Sequence, residues 1–460
     1  MGLRKYIGDK AFYKTAMTVA MPIMLQNLIT NLVNMLDNLM VGSIGTEQMS
    51  GVAIVNQLLF IFNLAVFGAM GGVGIFTAQF FGKGDNEGIR YSFRYKIMVS
   101  LLLAFVATGI FIAFDDNLIS LYLHDVEAGA DIAETLGFAK QYMAVMLIGL
   151  IPFAVSQAFS GTLRETGDTF TPMIIGLTAV VINCVFNYLL IFGKLGLPAL
   201  GVRGAAVATV LSRFVEAVLV VAYMLIKKDR FSYVKGLFKS LYIPSDMFAA
   251  ITRKGMPLLV NEILWSMSMS TLGIAYSLHG INIVAAYNIS STITNLFNMA
   301  FLSLGSSLGI IVGKLLGAGK YEEAIDTDRK LIAFSMFVSV IMGSALFIAS
   351  GYFPALYNTT DDVKEIATYF IRVCACTGPI VSYANAAYFT LRSGGKTVIT
   401  FIFDSGSMWI LSVPIAFAGY YIFGWHIFLI FPIIQLLEIV KVILGAILIK
   451  KRVWVNNIVE

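Results

Sequence analysis

Few side chains in this 460-residue chain are placed to do chemistry away from water, and they are carboxylates, amides and hydroxyls. Asp37 falls late in a long apolar run, flanked by Leu36 and by Leu39-Met40. A carboxyl group at membrane depth is expensive, and an ionisable residue there is a functional candidate. It can take up and release a proton, or stay charged and hold a monovalent cation. Asn183 and Asn187 are four apart and so share one helical face. Their amide oxygens are neutral hard ligands suited to Na⁺, and the hydroxyl of Thr209 adds another oxygen. The competing readings are a structural hydrogen-bond acceptor for Asp37 and interhelical bonding for the asparagine pair.

A second group lies further along the chain. Glu262 follows Asn261 about two turns beyond Arg253 and Lys254, and Asp404 stands about two turns beyond Lys396. Carboxylates there suit a cationic substrate or a proton, or a hydrogen bond in a gate. Arg213 and Glu216 are three apart, as are Glu438 and Lys441, and each pair reads as a self-neutralising structural pair. Gln57, Asn63, Asn288, Asn295, Asn298 and Tyr383 offer hydrogen bonds to a substrate among adaptable Met and aromatic side chains.

No convergent constellation of an enzyme appears. His124, His279 and His426 fall at loops or span edges, and Cys184, Cys374 and Cys376 lie in apolar runs. The GKGD and GAGK turns lack the spacing of a phosphate-binding loop. No cofactor and no metal are expected beyond a possible Na⁺ at Asp37, and with no ATP-binding sequence any work on a solute would have to run on an ion gradient. A channel would instead show conductance without coupling.

The elements that position these residues follow from composition. Apolar residues make up 58% of the chain, charged ones 13%, and mean hydropathy is +0.82. That is too little charge to cover a water-facing surface of this size. The net charge of +5 resides in loops and implies no nucleic-acid partner. Hydropathy predicts twelve spans, near 15–42, 50–80, 95–114, 135–158, 170–193, 203–226, 252–278, 284–313, 330–352, 366–390, 398–420 and 426–449. The basic, polar opening and the length of the first apolar run argue against a cleavable signal.

Lys and Arg crowd the first segment (Arg4, Lys5, Lys10, Lys14), the central loop from Lys227 to Lys254 and the final Lys450-Lys451-Arg452. On the opposite side Asp115, Asp116, Asp125, Glu127, Asp131, Asp361 and Asp362 collect. Both termini are therefore expected to be cytoplasmic.

The chain repeats itself. MPIMLQN at 21–27 returns as MPLLVNE at 256–262, a shift of 235, and FFGKGD at 80–85 returns as LLGAGK at 315–320 with the same shift. LRETGDT at 163–169 returns as LRSGGKT at 391–397, a shift of 228. Six spans per half makes the repeat parallel. The expected fold is an all-α polytopic membrane protein, with twelve transmembrane helices in two parallel-repeat six-helix lobes around a central cleft. The lobes are 1–226 and 252–460, joined by a cytoplasmic linker at 227–251.

The run PIMLQNLITNLVNMLDNLMVGSIGTEQMSGVA resembles the opening of bacterial multidrug and toxin extrusion (MATE) transporters. AQFFGKGD, LRETGDT, NCVFNYLLIFG and GVRGAAVAT follow in the family's order, and LLGAGKYEEA, LRSGGKT and FDSGSMWILSVPIAF continue it through the second half. The resemblance implies a multi-pass inner-membrane antiporter, expected as a monomer among lipids. It would export small organic, cationic or amphipathic compounds in exchange for Na⁺ or H⁺. It also implies a cation-coupling cluster at Asp37, Asn183, Asn187 and Thr209. Some relatives carry Asp where Asn187 stands, so a single carboxylate serves here. The family's acid of span 7 corresponds loosely to Glu262. The alternative is a flippase for lipids or lipid-linked saccharides, against which the scarcity of Lys and Arg at membrane depth counts.

Overall fold

A backbone crossing hydrocarbon must satisfy its polar groups internally, which an α-helix does within one segment. The computed structural model describes residues 5–123 and 132–460, and among these it contains helices, turns and loops but no strand. Arg4, His124, Asp125, Glu127 and Asp131 lie outside the described residues.

Among the described residues twelve helices are long and apolar enough to span a bilayer. They are α1 (Lys10–Gly42), α2 (Thr46–Lys83), α3 (Asn86–Ala113), α4 (Ile132–Glu165), α5 (Phe170–Phe192) and α6 (Val202–Ile226) in the first half. The second half holds α7 (Ser245–Ser277), α8 (Ile281–Gly317), α9 (Tyr321–Ala349), α10 (Asp361–Ser393), α11 (Thr397–Tyr421) and α12 (Ile427–Lys450). Each expected span is present. Several helices run further than hydropathy suggests, α9 beginning at Tyr321 rather than near 330, because polar end turns keep helical hydrogen bonds beyond the apolar stretch.

Some helices depart from regular α geometry, among them α4, α11 and α12, the last interrupted at Leu437. In α4 a 3₁₀ turn at Leu147–Gly149 precedes Pro152, which has no N–H to offer the ladder. In α11, π-helical turns occupy Ile402–Gly406 and Met408–Ser412. There the Ser405 N–H donates to Asn261 Oδ1 at 3.2 Å, so a side chain from α7 enters the backbone ladder.

The chain divides into two compact units. One comprises Leu25–Thr77 and Asn86–Thr252, hereafter the amino-terminal unit; the other comprises Met1–Met24, Ala78–Asp85 and Arg253–Glu460, the carboxy-terminal unit. Helices α1 and α2 therefore each contribute to both.

In the amino-terminal unit α5 packs along α6, and α3 along α4. The fully buried Lys96 is neutralised by Glu165. The 227–251 segment is folded into this unit. Arg94 donates to the carbonyls of Leu237 (2.9 Å), Gly236 (2.8 Å) and Tyr242 (2.9 Å), and Arg90 to that of Tyr233 (3.2 Å). Burial pushes the Tyr233 hydroxyl pKa up, keeping it neutral, and it shares a hydrogen bond with Thr166 at 3.0 Å.

The carboxy-terminal unit has two principal apolar cores. One is built around Leu272, Phe370 and Phe431, the other around Leu308, Phe389 and Trp454.

Candidate functional site

The four residues expected to couple a cation come together in the amino-terminal unit, delivered by α1, α5 and α6. Asn183 and Asn187 sit one turn apart on the buried face of α5. Asn187 Nδ2 donates to Asp37 Oδ1 at 2.5 Å. A half-turn of the Asn183 amide exchanges its oxygen and nitrogen, and the two placements would have different chemistry. With its nitrogen toward the carboxylate it donates to Asp37 Oδ2 (2.9 Å) and Oδ1 (3.2 Å), while its oxygen accepts from Thr209 Oγ1 (3.2 Å). In the reverse orientation Asn183 Nδ2 donates to Thr209 Oγ1 (3.2 Å), and Asn183 Oδ1 accepts from Asn187 Nδ2 (3.3 Å).

An amide nitrogen only donates, so the first arrangement serves an ionised Asp37. The reverse sets two oxygens together and is satisfied when Asp37 carries a proton to donate. Thr209 Oγ1 also lies 3.0 Å from the Ala205 carbonyl, to which it donates in that case. Asn187 Oδ1 is buried with no hydrogen-bond partner. Such an acceptor costs about 1–3 kcal/mol, and it stands beside a carboxylate.

The second group assembles in the carboxy-terminal unit, with a different character. Asn261, fully buried, donates to Asp404 Oδ2 at 3.0 Å and accepts from Ser405 Oγ at 2.7 Å. Glu262 Oε1 accepts from the Tyr388 hydroxyl at 3.0 Å, and Arg392 stacks over Tyr388 and Phe389 at 5.9 and 5.4 Å. Lys441 Nζ lies 3.2 Å from Asp404 Oδ1 and 2.9 Å from Glu438 Oε1. The Glu438–Lys441 pair therefore forms as expected and also engages Asp404, which makes Asp404 part of an ion-pair triad.

The other expected pair is looser, Arg213 and Glu216 attracting each other without direct contact. The Arg213 guanidinium lies over the Phe153 ring at 4.7 Å, and no ion pair joins it to Glu216 among the described residues. Gln57 and Asn288 are exposed and Tyr383 is half-buried; none of the three bonds to either cluster.

Sequence reasoning missed three polar contacts. Arg164 donates to Gln26 Oε1 at 2.9 Å, Lys96 pairs with Glu165, and the buried Asp328 accepts from Thr390 Oγ1 at 2.5 Å. The repeat could have revealed the first, because the shift of 235 carries Gln26 onto Asn261 and that of 228 carries Arg164 onto Arg392. Asp328 sits in the charged run DTDRK, which reads as a loop.

The same repeat supplies an internal control for the Asp37 cluster. The shift of 235 carries Asp37 onto Leu272, and that of 228 carries Asn183 and Asn187 onto Leu411 and Ile415. Leu272 and Ile415 pack in the apolar core around Phe370 and Phe431. One half thus builds with apolar side chains what the other builds with a carboxylate and two amides, so the six-helix architecture does not require the polar set. Among the described residues no three His, Cys, Asp or Glu side chains gather as a multidentate metal site would need.

Comparison with known proteins matches this architecture. The MatE family profile fits the chain twice, over residues 22–189 and 257–418. The chain is 26% identical over 404 residues to the "Probable multidrug resistance protein NorM" of Thermotoga maritima, covering 88% of this chain and 85% of that one. It is 23% identical over 410 residues to the "Probable multidrug resistance protein YoeA" of Bacillus subtilis, covering 86% and 84%. Among solved structures it is similar to a MOP superfamily transporter from Pyrococcus furiosus, with a TM-score of 0.86 at 20% identity over 98% of this chain and 97% of that one. An outward-facing multidrug resistance MATE family transporter gives 0.84 at 19% identity, again over 98% and 97%. At such identities these structures establish the shared fold.

Proposed function

Because the chain belongs to the MatE family of membrane transporters, we propose that it is a multidrug efflux protein that exports organic, cationic or amphipathic compounds by antiport with Na⁺ or H⁺. Asp37 is the coupling carboxylate in this reading. The observation that carries it is the asymmetry of the repeat: a costly polar cluster stands in one half where the other places Leu272, Leu411 and Ile415.

The cluster offers a means of discharge for either ion. A proton on Asp37 would be accommodated by turning the Asn183 amide so that its oxygen faces the carboxyl group and its nitrogen donates to Thr209. A Na⁺ ion would be held by the Asp37 carboxylate together with the unpartnered Asn187 Oδ1. Binding of the ion and of the drug then favour opposite-facing states, which is alternating access. Glu262 and Asn261 are the candidates for a second polar contribution from the carboxy-terminal unit, with Gln57, Asn288 and Tyr383 as substrate-facing residues. Asp404 is tied to Lys441 and is the weaker candidate. In this reading the protein works as a monomer in the inner membrane; the Lys and Arg distribution supports cytoplasmic termini.

A lipid-linked saccharide flippase is the less favoured reading. Of the buried cations that could meet a diphosphate, Lys96 and Lys441 are already neutralised by Glu165 and by Glu438 with Asp404. Proteoliposomes loaded with ethidium test the proposal. Efflux should follow an imposed Na⁺ gradient or an imposed pH gradient, and the effective one names the ion. Retention of the dye under both, from correctly folded protein, would refute antiport of such compounds.

A further inference from the structure

Two glycines related by the repeat cross at the ends of α2 and α8. The shift of 235 pairs Gly82 with Gly317 and Gln79 with Lys314. A Cβ on Gly82 would collide with the Lys314 carbonyl, and one on Gly317 with the Gln79 carbonyl. Each glycine therefore rests on the backbone at the position symmetric to its own partner's support. Both lie within regular helix, so the requirement is space rather than unusual backbone angles. One turn earlier a Cβ on Gly313 would stand 3.2 Å from Ala78 Cβ. This crossing is why Ala78–Asp85 belongs to the carboxy-terminal unit while the rest of α2 belongs to the other.

A strap formed by the residues after α12 covers the crossing. Trp454 is almost fully buried, and its carbonyl sits where a Cβ on Gly394 would be. Gln79, itself fully buried, has a saturated side-chain amide. Its Nε2 donates to the carbonyls of Ser393 (2.9 Å) and Asn456 (3.2 Å), and its Oε1 accepts from the Ile458 N–H (2.8 Å). Lys83 Nζ donates to the Val459 carbonyl at 2.5 Å. Arg452 pairs with Glu322 at 2.8 Å, anchoring the strap to the start of α9. The end of α2 is thus held by directional bonds to backbone groups on two separate segments.

We propose that the Gly82–Gly317 crossing and the 454–459 strap form a gate, with Gln79 as its latch, on the face where the even-numbered helices end. Closure brings the glycines into backbone contact and lets Gln79 read the strap and the turn after α10. Opening of this face requires all three Gln79 bonds to release together, so that the end of α2 leaves α8. Polar bonds suit this duty because they can be exchanged for water as the face opens, without a lasting desolvation cost.

Thiol labelling tests the gate without requiring transport. Ser393→Cys, in a chain whose Cys184, Cys374 and Cys376 are replaced by alanine, sets a thiol beneath the strap. Its rate of reaction with a membrane-impermeant maleimide is measured in nanodiscs, where both faces are open to reagent. With Gln79 intact the reaction should be slow; Gln79→Leu should accelerate it about tenfold or more, and Gly317→Val should do likewise. Lys83→Met removes one bond from an exposed position that cannot unfold the helix, and should give a smaller acceleration. A control thiol from Ser100→Cys, buried in α3, should keep its rate in every variant. Equal rates at Ser393→Cys with and without Gln79, or a matching rise at the control, would overturn the gate. A protein that exports no dye yet shows selective acceleration would keep the gate and lose the transport reading.

Discussion

Asp37 is defined by its neighbours. Alone it is a carboxyl group late in an apolar helix; with Asn183, Asn187 and Thr209 it is the end of a hydrogen-bond chain that links three helices. Much of this was legible in the sequence, because an intramembrane acid and two amides at helical spacing are rare and their faces follow from period alone. The partners of Glu262 and Asp404 were not legible. Tyr388 and Lys441 are distant in sequence from the acids they serve, and no local pattern announces a tertiary contact. Asn187→Leu separates the coupling role of the amide from a packing role. The repeat already uses Leu and Ile at the corresponding positions, so the variant should remain monodisperse with a thermal midpoint near that of the parent. Its gradient-driven efflux should fall tenfold or more, consistent with loss of a charge-assisted hydrogen bond of about 1.5–3 kcal/mol. Loss of folding in this variant would make Asn187 structural glue.

At the level of elements, the number and order of the helices follow from hydropathy, while their irregularities do not. At the first π-helical turn of α11, Ile402–Gly406, Asn261 of α7 takes the Ser405 N–H, a contact that comes from outside α11. The same turn presents Asp404 to Lys441 of α12. Lys441→Met should therefore leave two acids in low-dielectric surroundings without their cation, at a cost of about 3–5 kcal/mol. Thermal unfolding in detergent should show a marked drop, and adding Asp404→Asn to Lys441→Met should restore part of it. An unchanged midpoint for Lys441→Met would mean that the triad holds nothing together.

Across the whole molecule, the repeat is the most informative feature of the sequence, and also the one whose consequences required coordinates. Matching motifs announced two six-helix halves; they did not announce that 227–251 would fold onto α3 through Arg90 and Arg94, or that the residues after α12 would plug the turn after α10. Polar segments outside the membrane read as connections by composition, yet both are held by side chains bonding to backbone carbonyls, which leave no trace in hydropathy. Arg94→Ala should free the 232–242 region, raising its rate of limited proteolysis severalfold while leaving the helices intact; an unchanged digestion pattern would contradict the docking seen here.

In the proposed function, Asp37 couples an ion gradient to export. The most direct test is ethidium efflux from proteoliposomes carrying the parent protein or Asp37→Asn, under the gradient that drives the parent, with equilibrium binding of ethidium measured on the same preparations. Both proteins should bind ethidium, and only the parent should show gradient-driven efflux. Efflux that proceeds undiminished in Asp37→Asn would place the coupling elsewhere in the chain and contradict that role for Asp37.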